Sequence, residues 1–160
     1  IALATQQFEE ILASVIILAL FQPLILDSGG DVASQTLAIT LLGLNNKSNH
    51  DLKKNGIKEI IAGMISGFVM GVLAFLASLV MISIMNLDNG VMVGLVVGLS
   101  LFLTVAISPV FGFLIPTILH KLKLDPAVAS GPFITTLIDL LSVFIYLGLA
   151  TLMLGGLIHG

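Results

Sequence analysis

Val91–Leu119 reads VMVGLVVGLSLFLTVAISPVFGFLIPTIL, 29 residues without one charged side chain. A helix needs about 20 apolar residues to cross a bilayer. The run is continuous rather than alternating, which excludes a membrane strand. It therefore predicts a transmembrane helix. Two other stretches repeat the pattern: Ile60–Met85 has 26 residues and no charge, and Ala127–Ile158 has 32 residues and one charge, Asp139. The fold class is all-α, a polytopic membrane helix bundle.

The N-terminal third is less simple. Ile11–Leu26 and Val32–Leu44 are short apolar runs around Asp27-Ser-Gly-Gly-Asp31. As one helix, Ile11–Leu44 would be about 50 Å long, against a hydrocarbon core of about 30 Å. Pro23 removes a helical hydrogen bond, and the glycine pair frees the backbone. The expectation is a long tilted helix broken at its centre, or two half-helices meeting at the glycines. The spans then run over approximately 10–44, broken near 27–30, and over 57–86, 90–119 and 126–157. They form a single transmembrane domain over 1–160, with no soluble domain in the chain.

Composition agrees. Of 160 residues, 58% are hydrophobic and 9% charged, where a soluble domain carries about 25% charged residues. The mean hydropathy is +1.18. These values exclude a soluble globular domain, a disordered chain and a nucleic-acid binder, which needs a basic footprint. The absence of Cys excludes disulfides, thiolate metal sites and thiol catalysis. The chain starts with Ile, shows no signal-peptide pattern and reads as a piece of a longer protein.

All six lysines lie within Lys47–Lys58 and Lys121–Lys123, and there is no Arg. The positive-inside rule makes both segments cytoplasmic. Glu9-Glu10, Asn86–Gly90 and the C-terminus then lie outside, in the cell membrane of a multi-pass protein. Asn86-Leu-Asp-Asn-Gly90 reads as a tight turn, and Asn45–Gly56 as a cytoplasmic loop. Asp125-Pro126 reads as a helix start, with Asp as cap and Pro at the first helical position. Gly63, Gly67 and Gly71, and Gly90, Gly94 and Gly98, are spaced by four. They predict smooth faces for close helix packing, within the chain rather than between chains.

Three acids fall inside the apolar segments: Asp27, Asp31 and Asp139. A charge at the bilayer centre costs about 2.5–3.5 kcal/mol on insertion scales. Asp31 and Asp139 both sit about 20 Å from the cytoplasmic end of their spans if helical, and Asp27 about 6 Å further out. No Lys or Arg lies within the apolar segments to pair with them. Two or three uncompensated acids at one depth invite a cation; Asp27, beside a turn, is equally readable as a cap. Thr135, Thr136 and Ser142 share a helix face with Asp139, and Ser34, Gln35 and Thr36 follow Asp31. Such hard oxygen donors suit Mg²⁺, Ca²⁺, Mn²⁺ or Na⁺ rather than Zn or Cu. Mg²⁺ keeps much of its water, so few carboxylates suffice.

The motifs carry a family resemblance. Phe21-Gln-Pro23 followed by Gly29-Gly-Asp-Val-Ala-Ser-Gln35 resembles the FxP…GGNxGxQ signature of MgtE-type magnesium transporters. Leu124–Asp139, LDPAVASGPFITTLID, resembles the second signature, LDPAxxSGPxxTTxxD. Phe8-Glu9 matches an FE pair at the start of the same helix, and Tyr146–Ala150 fits an IYLGLA ending. The resemblance implies a five-helix transmembrane domain, here with its first helix mostly missing, that forms a homodimer. The ion path would lie between subunits. Asp139 falls on the pore-lining acid and Asp125 on the acid near the cytoplasmic mouth. The family's Asn is Asp31 here, and its following Gly is Ala33.

The resulting expectation is divalent cation transport, most of all of Mg²⁺ as the bound and carried ion, through a pore at a homodimer interface. Asp139, Asp31, Asp125, Thr135, Thr136, Ser34, Gln35 and Glu9 are the candidate ligands. A proton- or Na⁺-coupled carrier of broader selectivity (Mn²⁺, Co²⁺, Ca²⁺) stays open, as does a membrane subunit that moves nothing. The chain does not read as an enzyme.

Overall fold

A computed structural model describes residues 2–45, 49–85, 90–128 and 131–158, with side chains over 16–45, 52–85, 90–128 and 131–155. The chain forms four long helices: α1, Ala2–Asn45; α2, Asn49–Ile84; α3, Gly90–Lys121; and α4, Gly131–Ile158. Among the described residues, four helical stretches are long and apolar enough to cross a membrane: Ile16–Asn45, Leu52–Ile84, Gly90–Lys121 and Gly131–Gly155. The turn expected at Asn86–Gly90 falls mainly on residues 86–89, outside those described, as does residue 130 of the second signature.

The bundle is built around α3, which packs against all three other helices. Its buried residues include Val93, Val96, Val97, Leu101 and Val105 as well as Ser100, Thr104 and Ser108. α1 and α3 run parallel, and α2 and α4 run antiparallel to them, as a chain crossing back and forth requires. α4 contributes one narrow buried stripe, Ile134, Ile138, Ser142 and Tyr146, at a spacing of four.

The two glycine ladders zip α2 to α3 within the chain. A Cβ on Gly71 would stand 2.7 Å from the Gly98 carbonyl oxygen, and one on Gly98 would stand 2.8 Å from that of Gly71. Gly67 likewise faces the Phe102 carbonyl at 3.0 Å, and Gly94 faces Ser78 and Phe75. No side chain fits between the backbones there. Gly63 seats the ring of Pro109. That proline has no N–H to offer the Val105 carbonyl, and the same carbonyl lies 3.3 Å from the Cβ position of Gly63.

Three local expectations are corrected. First, α1 is a single 44-residue helix, continuous through Gly29-Gly30 and Pro23, and among the described residues no glycine has positive φ. The break expected near 27–30 is absent. In lipid an open backbone group finds no water partner, so the helical ladder is kept and the glycines serve packing instead. A Cβ on Gly29 would run into Thr104 of α3 and come within 2.9 Å of Ile138 of α4.

Second, Asn49–Gly56 is not a loop. It is the start of α2, and its lysines lie on the exposed side of the helix. Their long stems let the ammonium groups reach water from a helical position.

Third, Asp125-Pro126 does not start the long helix. Pro126–Val128 is a separate 3-10 turn, capped by Asp125, whose Oδ1 accepts the Ala127 N–H at 2.9 Å. α4 begins later, at Gly131-Pro132, where proline again occupies the first turn. Before this turn α3 closes in a Schellman motif: Leu124 N–H reaches the Leu119 carbonyl at 2.9 Å, and Lys123 N–H reaches that of His120 at 3.1 Å. Lys123 takes the left-handed position at φ 58°, which glycine usually fills.

Candidate functional site: an acidic groove between α1 and α4

α1 and α4 cross at Gly30. A Cβ there would meet Thr135 Cγ2 at 3.2 Å and Asp139 Oδ1 at 3.7 Å. Gly30 therefore lies level with the Thr135–Asp139 turn of α4. Gly29, about 100° round the helix, faces Thr104 of α3 as well as Ile138 of α4. The glycine pair thus lets α1 approach two neighbours at one level.

Beside this crossing lies an open groove of about 650 Å³. On the α1 side it is lined by Pro23, Leu24, Leu26, Asp27, Gly30 and Asp31, and on the α4 side by Thr135 and Asp139. Helical geometry explains the set. Asp27 and Asp31 are four apart and share a face. Thr135 and Asp139 are also four apart, next to the buried stripe through Ile134 and Ile138, which leaves them at its rim. Asp139 is half-buried, while Asp27 and Asp31 are exposed to the groove.

The groove gathers three candidates named from sequence, Asp139, Asp31 and Thr135, and adds Asp27. Asp27 sits in mid-helix, so it caps nothing, and the depth spacing had already set it one turn from Asp31. Ser34 is half-buried one turn beyond Gly30, and Gln35 is exposed one turn beyond Asp31; neither lines the groove. Thr136 is exposed, and its hydroxyl donates to the Pro132 carbonyl at 2.8 Å. The Thr135 hydroxyl donates to the same carbonyl at 3.0 Å, which leaves its oxygen free to accept or to coordinate. Asp125 stands outside the groove on its 3-10 turn. The side chain of Glu9 lies outside those described. Among the described residues, no three His, Cys, Asp or Glu groups stand close enough to enclose an ion. One chain offers an acidic wall, not a cage.

Known proteins place this arrangement. The MgtE family model, described as a divalent cation transporter, matches residues 22–149, which hold the whole groove. A magnesium transporter MgtE of Bacillus subtilis is 40% identical over 90% of the chain and 31% of its own length. One from Enterococcus faecalis is 33% identical over 91% of the chain and 31% of its own length. One from Thermus thermophilus is 32% identical over 93% and 32%. The chain spans about a third of the length of these relatives. With the matched region reaching into all four apolar helices and holding the second signature and all of the first but Phe21, the chain belongs to the MgtE family of divalent cation transporters.

Proposed function

We propose that the chain is the ion-conducting part of a divalent cation transporter, that Mg²⁺ is its principal ion, and that the path is completed by a second copy facing the α1–α4 groove. The carrying observation is the groove itself: Asp27, Asp31 and Asp139 share one open volume in a segment otherwise free of charge. Membrane acids without basic partners are costly, and a cation offsets that cost. Two walls related by a two-fold axis would double the carboxylates and enclose the ion, which one wall does not. Apolar side chains flank the groove on both helices, Leu20 and Leu24 on α1 and Leu140 and Phe144 on α4, and all are exposed in the single chain. Such faces suit a subunit seam.

In this reading Asp139 holds the ion through its water shell, which Mg²⁺ gives up reluctantly. Asp31 and Asp27 add negative charge on the opposite wall, and Thr135 offers a hydroxyl. Thr136, Ser34 and Gln35 extend the polar track toward the lysine-bearing end, where Asp125 and its turn form the mouth. Glu9 marks the other mouth. Both lysine segments face the cytoplasm, and the C-terminus faces outside. A further helix ahead of α1 would complete a five-helix domain.

The test is ion uptake into liposomes by the purified protein and its variants. Asp139→Asn is expected to lose Mg²⁺ uptake by at least tenfold, as removal of about 1.4 kcal/mol or more of ion stabilisation would give. Asp31→Asn restores the residue of the family signature and is expected to keep uptake while narrowing the range of ions. Normal Mg²⁺ uptake by Asp139→Asn would sink the proposal.

A further inference from the structure

Among the described residues two polar side-chain contacts cross from one helix to another, one short hydrogen bond and one longer contact that shares its proton, and both involve α1. The Tyr146 hydroxyl of α4 donates to the Leu18 carbonyl at 2.7 Å. The Thr36 hydroxyl of α1 lies 3.5 Å from Glu59 Oε2 of α2, while also lying 3.0 Å from its own helix's Val32 carbonyl. Leu18 precedes Pro23 by five residues, and Thr36 follows Asp31 by five. The groove-lining stretch of α1 lies between the two.

Each bond sits where polar contacts are rare. Tyr146 is 2% exposed and Thr36 0%. The phenol needs a partner when buried and finds it in a backbone carbonyl of another helix. Thr36 stands where three helices meet. Gly112 of α3 has room for no Cβ beside the Ala33 carbonyl and Thr36, and Glu59 reaches in from α2. Glu59 lies on α2 between Gly56 and Gly63, which are pressed on Phe113 and Pro109 of α3, so its own helix is firmly seated. The rest of α1's contact with the bundle is apolar burial and the close approaches at Gly29, Gly30 and Gly112, with no further hydrogen bond among the described residues. Hydrogen bonds fix a distance and a direction; apolar burial does not.

We propose that Tyr146 and Glu59 are positioning residues that clamp α1 on either side of the groove, setting the distance between the Asp27–Asp31 face and Asp139. Glu59 acts through Thr36, and Tyr146 through the Leu18 backbone. Neither touches the ion. The proposal deepens the functional reading, because the spacing of two acidic walls decides which hydrated cation bridges them.

The experiment uses the natural absence of Cys. Spin labels at Leu20→Cys and Leu140→Cys report the α1–α4 distance, with labelled protein diluted into unlabelled so that only distances within one chain are read. The unmodified background is expected to give one narrow distance. Tyr146→Phe, Thr36→Val and Glu59→Ala are each expected to shift or split it, and Glu59→Gln, whose carbonyl still accepts, is expected to restore it. In liposomes the same three variants are expected to change the apparent KM and the Mg²⁺ over Ca²⁺ preference more than the maximal rate. Unchanged distances in Tyr146→Phe and Glu59→Ala overturn the clamps, as does Glu59→Gln behaving like Glu59→Ala. Absence of uptake by the unmodified protein would count against the transport reading alone, since the distances decide the clamps without it.

Discussion

Glycine does different work at the two seams of this bundle. Between α2 and α3, Gly71 and Gly98 bring the backbones so close that each glycine faces the other's carbonyl, and the hollow beside them, about 280 Å³ among Phe68, Phe75, Leu95 and Phe102, holds no charged residue. Between α1 and α4, Gly30 removes a side chain from beside Thr135 and Asp139, and the seam opens into a groove holding three acids. The residue type is the same, and its neighbours decide the outcome. Backbone opposite a glycine leaves no room to give, whereas a side-chain methyl opposite it can yield by a few tenths of an ångström. A small residue in a membrane helix therefore marks close approach, and only the partner's atoms tell whether that approach is rigid or can yield.

The contrast can be broken in order of expected effect. Gly71→Leu is the harshest test, since the Gly98 carbonyl and the Phe102 Cβ at 3.0 Å both stand in the way. Overpacking costs about 1–3 kcal/mol and occasionally more, and thermal unfolding in detergent is expected to show that loss in full. Gly71→Ala should show a smaller loss of the same sign. Gly30→Ala is expected to behave differently. A helical Gly→Ala change gains about 1 kcal/mol from propensity, and the neighbour at 3.2 Å is a threonine methyl. Its unfolding temperature should stay level or rise while Mg²⁺ uptake falls, because the new methyl points at Asp139. Equal destabilisation by Gly71→Ala and Gly30→Ala would erase the distinction.

The mildest test lies away from both seams. Lys123 holds a left-handed conformation that costs an L-residue about 1–2 kcal/mol. Lys123→Gly should raise the unfolding temperature slightly and leave ion uptake unchanged. A drop in uptake would tie the α3–α4 turn to the path.

Much of this was legible in the chain. The charge-free runs are sufficient for the helices, because a bilayer reads hydropathy directly. The depth of Asp31 and Asp139, counted from the two lysine segments, brought both to one groove. The misreadings have separate causes. Gly29-Gly30 read as a break because glycine loosens a helix in water; in lipid the backbone keeps its own hydrogen bonds. Asn49–Gly56 read as a loop because it is polar, although polar residues also open a helix that emerges from the membrane. Asp125 does cap a helical turn, but a short one of its own, since nothing in Asp-Pro states how long the following helix runs. Thr36 and Glu59 carry no pattern at all. They meet only because α1 and α2 fold back on each other, and a contact across 23 residues leaves no periodic trace.

The adjacent glycines of α1 have one more consequence. Gly29 is a deep notch against Thr104 of α3 and Ile138 of α4, and Gly30 a shallower one against Thr135 of α4. α1 is thus keyed like a shaft with two slots. Turning it by one residue would drive Ser28 or Asp31 into a slot made for nothing. Any movement that widens or narrows the groove must therefore tilt or slide the whole rod, carrying Asp27 and Asp31 together past Asp139.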